Sequence, residues 1–324
     1  MKWNTQMLLI MMIIMTIMAV SSTSWLSMWI AMEISLVCFV PIMKMDASKE
    51  ASSSSMIYFL AQSSGSAVFL YSLLVMWFDF PSSHSNLMMV MIMVSMMMKM
   101  GFPPMHMWMI AVMNNMSWKS CFILMTLQKI APVTVLSNMM FNTTIIMAAT
   151  AATLVGAIGG INQTSLRKIM GYSSASHMGW MLVLMPTTKW ITYLALYTVM
   201  AAMACYMFHM ENMFYLNQIM LTSKLNQLAL TINMLSMAGL PPMMGFLLKW
   251  MAIQNMINNN LIITAVMMIM SSLLTLMLYI NMLMPTMSSS TISTKIKPKK
   301  EKSFSWAITI SMMTPVFLTM NIMA

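Results

Sequence analysis

The sequence predicts an all-α polytopic membrane protein of about eleven transmembrane helices. Three observations predict it. Of 324 residues, 60% are hydrophobic and 7% charged, whereas soluble domains keep about a quarter of their residues charged, so this surface must face lipid. The apolar runs are long and unbroken, where strands of a membrane barrel would alternate over about ten residues. Finally, one topology gathers nearly all the basic residues outside the spans on one side.

Stretches of roughly 20 apolar residues mark spans. They run near 5–20, 25–43, 56–78, 86–111, 120–140, 144–161, 169–186, 190–209, 226–257, 260–284 and 304–323. The first follows an early Lys2 and precedes no small-residue cleavage site, so it reads as a retained span rather than a removed signal. The second, WLSMWIAMEISLVCFVPIM, carries Glu33 near its middle, and the third contains YFLAQ. The fourth is interrupted at Gly101-Phe102-Pro103-Pro104, beside Lys99 and His106. The fifth carries Lys129, followed by Ala131-Pro132, where a proline loosens the helix ladder. The sixth ends in GAIGG, a small-xxx-small pattern suited to close helix packing. The seventh carries His177 and the eighth ends at His209. The ninth is interrupted at Gly239-Leu240-Pro241-Pro242, beside Lys249. The tenth and eleventh are plain.

Two helices are therefore expected to break at Gly-x-Pro-Pro, because proline removes a donor and glycine relaxes the backbone. Broken helices are tolerated at membrane depth only where protein or a water-filled cavity satisfies their backbone. Each break lies fourth in a set of five, so the chain divides into repeats at 5–140 and 144–284, with 304–323 as an extra C-terminal helix. Five is odd, so the repeats have opposite orientation in the membrane.

With the N-terminus inside, inner segments carry Lys2, Lys44, Lys49, Lys119, Arg167, Lys168, Lys224, Lys295, Lys297, Lys299, Lys300 and Lys302. Outer loops carry only Lys189, and the other three lysines are inside spans. This is the asymmetry of the positive-inside rule. The TKIKPKKEK run reads as a solvated loop facing lipid headgroups.

Glu33, Lys99, Lys129 and Lys249 are the candidate site. A charge at mid-membrane costs roughly 2.5 kcal/mol or more, and such groups usually line a polar path. Four in so uncharged a chain point to ion or proton movement. A desolvated lysine beside other positive charge can release and regain its proton, and an alternation of Lys and Glu relays charge. His106 and His177 are also deep and can carry protons near neutral pH, or can serve as hydrogen-bonded packing groups.

Other chemistry has no support in the sequence. Cys38, Cys121 and Cys205 are far apart and make neither a metal-type spacing nor a disulfide framework. No nucleotide-binding loop occurs, and four histidines not paired across two spans at a repeated interval do not make a haem bundle. The chain is expected to do no redox chemistry, to hold no cofactor or metal, and to bind no nucleic acid. The 56 methionines exceed any packing need. An AT-rich gene read by a code in which AUA also specifies Met, as in animal mitochondria, accounts for them.

Several stretches carry a resemblance: WLSMWIAMEISLVCFVPIM, KEAS…YFLAQ, MKMGFPPMHMW, LQKIAP, GAIGGINQTSLRKIMGYSSASHMGW and MAGLPPMMGFLLKW, spread over 25–254. In them the chain resembles the NADH dehydrogenase subunit 2 family, antiporter-like subunits of the membrane arm of mitochondrial complex I. It departs from that family's pattern at Met105, Ile110, Asn115, Leu127 and Leu248. The resemblance implies that Glu33, Lys99, Lys129 and Lys249 lie on a polar axis assigned to proton translocation. It further implies a multi-pass protein of the mitochondrial inner membrane, N-terminus on the matrix side, among other membrane-arm and accessory subunits. NADH, FMN, iron–sulfur clusters and ubiquinone are expected in other subunits. Two other readings stay open: a stand-alone cation/proton antiporter, and a non-pumping membrane scaffold.

Overall fold

A computed structural model describes residues 2–44, 49–78, 85–139, 143–221 and 223–288. Among them the structure is helical, with one isolated antiparallel bridge, Ser165–Tyr215. The chain forms two compact units, Met1–Phe141 and Asn142–Ala324.

The first unit holds α1 (Lys2–Ser21), α2 (Trp25–Met43), α3 (Lys49–Trp77), α4 (Ser85–Met100), α5 (Met107–Asn114), α6 (Trp118–Met125) and α7 (Leu127–Ser137). Helix α7 packs against α1, α2, α4 and α6, and its residues 131–136 and Lys129 are all buried. The outer helices turn apolar side chains outward: Met7, Ile10 and Ile17 on α1, Met56, Phe59 and Leu60 on α3. Apolar exposure on this scale suits lipid, since soluble surfaces seldom carry such patches.

The second unit holds α8 (Thr143–Ile161), α9 (Leu166–Val183), α10 (Lys189–Met210), a 3₁₀ turn at Leu216–Leu221, α11 (Lys224–Ala238), α12 (Met244–Asn258) and α13 (Ile262–Ser288). Helix α9 is buried from Ile169 to Val183 and packs against α8, α10 and α12. Its buried serines are tolerable because Ser173, Ser174 and Ser176 donate to the carbonyls of Met170, Gly171 and Ser173 at 2.7–2.8 Å. The GAIGG stretch lets α8 approach α9: a Cβ on Gly156 would stand 2.8 Å from backbone atoms of Tyr172 and Ser176.

Among the described residues six segments are long and apolar enough to cross a membrane: Trp25–Met43, Glu50–Trp77, Trp118–Ser137, Thr144–Ile161, Lys189–Met210 and Ile262–Met284. Helix α3 starts seven residues before the expected 56, because the polar run feeds the helix. Ser53, Ser54 and Ser55 donate to the carbonyls of Glu50, Ala51 and Ser52. The stretch expected at 86–111 forms α4 and α5, and that at 226–257 forms α11 and α12. The stretch at 120–140 is divided too, where no division was expected. Thr126 (φ −119°, ψ −76°) separates α6 from α7, and the Lys129 amide bonds the Thr126 carbonyl at three-residue spacing. Pro132 remains inside α7, so the ladder changes a turn earlier than its proline suggested. The stretch 304–323 and Lys295 to Lys302 lie outside the described residues.

Both Gly-x-Pro-Pro segments follow the same helix ending. At α4, Phe102 N–H bonds Met97 O at 2.9 Å and Gly101 N–H bonds Met98 O at 3.2 Å. At α11, Leu240 N–H bonds Leu235 O at 3.4 Å and Gly239 N–H bonds Ser236 O at 3.0 Å. Gly101 (φ 69°) and Gly239 (φ 83°) occupy the left-handed position of this Schellman arrangement, where any side chain is strained.

Candidate functional site

In the first unit the structure brings two expected residues together. Lys99 Nζ, on the last turn of α4, lies 3.6 Å from Glu33 Oε1 on α2. That is an ion pair at longer than hydrogen-bond distance, and Glu33 Oε1 is buried with no hydrogen-bond partner among the described residues. The two ends differ in burial. The Lys99 side chain is 3% exposed, while that of Glu33 is 27% exposed, so the Glu33 side chain is less enclosed in this chain than its mid-span position implied, with its Oε1 the buried part.

Beside Lys99 is a small polar cavity. It is lined by Thr16, Ser35, Gln62, Lys99, Gln128 and Pro132, among others, and about 10 Å³ of it is open to the centre of a water. That is about the room one water needs. Gln62 Nε2 donates to the Lys99 carbonyl at 2.8 Å, and Tyr58 donates to Gln128 Oε1 at 3.3 Å. Lys129 is buried on α7, next in sequence to Gln128, on a helix that packs against both α2 and α4. His106 stands at the start of α5, its Nδ1 3.3 Å from Pro104 O. Trp108 Nε1 donates to Met98 O at 3.1 Å and ties α5 to the end of α4.

In the second unit Lys249 is placed differently. From α12 its buried ammonium reaches the end of α11 and donates to Ala238 O at 2.6 Å. A cation there meets the negative end of the helix dipole. The Trp180 ring centroid lies 6.0 Å from the same nitrogen, within cation–π range. His177, one turn before Trp180 on α9, pairs through Nδ1 with the Tyr193 hydroxyl at 2.9 Å and packs against Tyr197 with centroids 5.0 Å apart. It thus sits among tyrosines, able to act as a packing group or as a link in a polar chain.

The arrangement can hold charge inside an apolar bundle, and in the first unit it has a water-sized space beside that charge. Among the described residues no cluster of His, Cys, Asp and Glu could hold a metal ion. Sequence reasoning passed over Gln62, Gln128 and Tyr58, the neutral groups around Lys99. The signal was present in part: an amide inside YFLAQ, and one beside Lys129 in LQK, each interrupt an apolar run.

Residues 22–275 match the family of NADH:quinone oxidoreductase/Mrp antiporter transmembrane proteins. NADH-ubiquinone oxidoreductase chain 2 of Locusta migratoria is 38% identical over 276 residues, 82% of this chain and 79% of that protein. The Anopheles gambiae protein of that name is 35% identical over 291 residues, 87% of this chain and 85% of its own. The Mus musculus one is 33% identical over 320 residues, covering 92% of each. By fold, a chain of Thermus thermophilus respiratory complex I with bound aureothin superposes with TM-score 0.83 at 18% identity, over 97% of this chain and 77% of that one. A chain of the Mrp complex from Dietzia superposes with TM-score 0.75 at 17% identity, over 89% and 60%.

Proposed function

We infer the function of this chain from the premise that it belongs to the NADH:quinone oxidoreductase/Mrp antiporter family, among the NADH-ubiquinone oxidoreductase chain 2 proteins. It is a core membrane subunit of respiratory NADH:ubiquinone oxidoreductase and takes part in moving protons driven by electron transfer elsewhere in the complex. The observation that carries this reading is the Glu33–Lys99 pair, whose lysine lines a water-sized polar cavity in the helix bundle that also buries Lys129. Charges so costly to place in a membrane are explained by a path that uses them. Lys249, whose ammonium reaches from α12 to the end of α11, is the corresponding group of the second unit.

The finer parts of the reading follow the same logic. The two five-span sets at 5–140 and 144–284 are inverted repeats, with 304–323 as an added span. The gaps after Gly101 and Gly239 bring backbone to the polar axis, a role supported by the use of Lys99 O and Ala238 O as acceptors there. The chain sits in the mitochondrial inner membrane with its N-terminus on the matrix side, as its basic residues favour. Other subunits of the complex are its partners and hold NADH, FMN, iron–sulfur clusters and ubiquinone.

Proton uptake into sealed vesicles, normalised to assembled complex, tests the assignment. Lys129→Met should leave the complex assembled and pumping strongly reduced. Wild-type pumping by that variant would favour a scaffold role. The Mrp likeness in fold keeps a second reading in view, and cation/proton exchange by the purified chain in vesicles without a redox partner would establish it.

A further inference from the structure

Glu33 and Lys99 come from helices that do not follow one another in the chain, and the helix between them holds both. Gln62, Gly65 and Ser66 lie on one face of α3, spaced by three and four residues. Gln62 donates from Nε2 to the carbonyl of Lys99 itself, at 2.8 Å. Gly65 faces the Lys99 stem: a Cβ added there would stand 3.1 Å from Lys99 Cγ and 3.3 Å from Ser95 O. Ser66 O accepts from Trp29 Nε1 at 3.3 Å, and Trp29 is one helical turn before Glu33 on α2. One face of α3 is therefore bonded to the Lys99 backbone on one side and to the Glu33 helix on the other.

The pair's geometry gives such a device a use. At 3.6 Å the pair stands at the long end of ion-pair range, and no shorter hydrogen bond to Glu33 Oε1 from the described residues draws α2 in. Helix α3 packs against both α2 and α4 and is placed to set how far α2 stands from the end of α4. The end of α4 is also where a carbonyl would otherwise be left over. The Schellman bonds take Met97 O and Met98 O, and Lys99 O is the next one along. In the second unit a carbonyl of the corresponding turn, Ala238 O, is taken by the Lys249 ammonium. In the first unit neutral Gln62 takes it, and the Lys99 ammonium is directed to Glu33 instead.

We propose that α3 is a register clamp for the Glu33–Lys99 pair, with Gln62 as the positioning residue that occupies the Lys99 carbonyl and Trp29 as its counterpart on the Glu33 helix. Gln62 acts through Lys99 and exchanges no proton. Its amide fixes the last turn of α4, the absent side chain at Gly65 admits the lysine stem, and the Trp29 bond holds α2 at the matching height. The proposal rests on the proton-path reading only for its effect on pumping, because the geometric claim stands apart from it.

The test uses the assembled complex carrying Gln62→Met, which keeps the bulk and deletes the donor, and Gln62→His, whose Nε2 restores a donor at similar reach. A cryo-EM map of the Met variant, set against the wild-type map, is expected to show the ion pair lost, with Glu33 and Lys99 standing well beyond its outer limit of about 4 Å. Proton uptake per assembled complex is expected to fall about tenfold, to recover in the His variant, and to fall no further when Gln62→Met is added to Glu33→Gln, as for residues acting as one unit. An unchanged pair distance in the Met variant overturns the clamp, as does a parted pair with wild-type pumping while Glu33→Gln is impaired. If Glu33→Gln itself pumps normally, the proton-path reading fails and the map alone judges the clamp. Should Gln62→Met not assemble, Trp29→Phe keeps a ring and deletes the donor to Ser66 O, and its pair distance is read in the same way.

Discussion

Lys129 and Lys249 are both buried lysines, yet their surroundings ask different things of them. Lys249 has a structural duty, because its ammonium satisfies Ala238 O at 2.6 Å. Removing a partner from a buried acceptor costs about 1–3 kcal/mol. We expect Lys249→Met to lower the heat stability of the assembled complex as well as its pumping. Lys249→Arg supplies a donor but does not give up its proton, so it should restore heat stability more than pumping. Measuring thermal dissociation and proton uptake on the same preparations separates the two effects. Lys129→Arg should assemble and fail to pump for the same reason, and pumping near wild type by that variant would remove Lys129 from the proton path.

At the scale of elements, the two Gly-x-Pro-Pro ends depend on a left-handed residue. Gly239 at φ 83° also lies against Lys249, with an added Cβ 2.9 Å from Lys249 Cδ. Gly239→Ala therefore incurs roughly 1 kcal/mol or more of backbone strain and displaces the lysine stem. We expect less assembled complex and reduced pumping by what does assemble, measured by native gel and vesicle uptake. Helix α7 shows how a central element is held: it is only 11 residues long, but α1, α2, α4 and α6 surround it. So short a helix is marginal alone in water, and in this chain its packing sustains it. The proline at 132 was a fair sign of irregularity near Lys129, but the irregularity sits at Thr126, whose hydroxyl donates back to Phe122 O at 2.7 Å.

For the whole molecule the governing fact is the surface. Leu60, Trp77, Ile191, Ile263 and Met284 are all more than half exposed, on helices of both units. Such a chain needs lipid or other subunits around it. Extraction in mild detergent should recover it at high mass with NADH-oxidising activity, and recovery mainly as a free monomer would contradict its place in the complex. The division at Phe141 and Asn142 leaves each unit with its own buried lysine beside a Gly-x-Pro-Pro end.

The class of fold and the identity of the buried lysines were legible in the sequence, because both follow from transfer costs that each residue carries wherever it goes. Long apolar runs fit lipid, and a lysine within one stands out whatever its neighbours. Glycine before Pro-Pro marked two positions for the same reason: its conformational freedom is its own. Which group answers which charge was not legible. Lys99 meets Glu33 and Lys249 meets a helix carbonyl, although both lysines flank the same motif. The Gln62 bond to Lys99 O joins residues 37 apart, and the Tyr58 bond to Gln128 joins residues 70 apart. Partnership of that kind depends on which helices pack side by side and at what height. Only the tertiary structure decided that, because a hydrogen bond is made by proximity in space, and nothing in the local chemistry of an amide or an ammonium says what will stand opposite it.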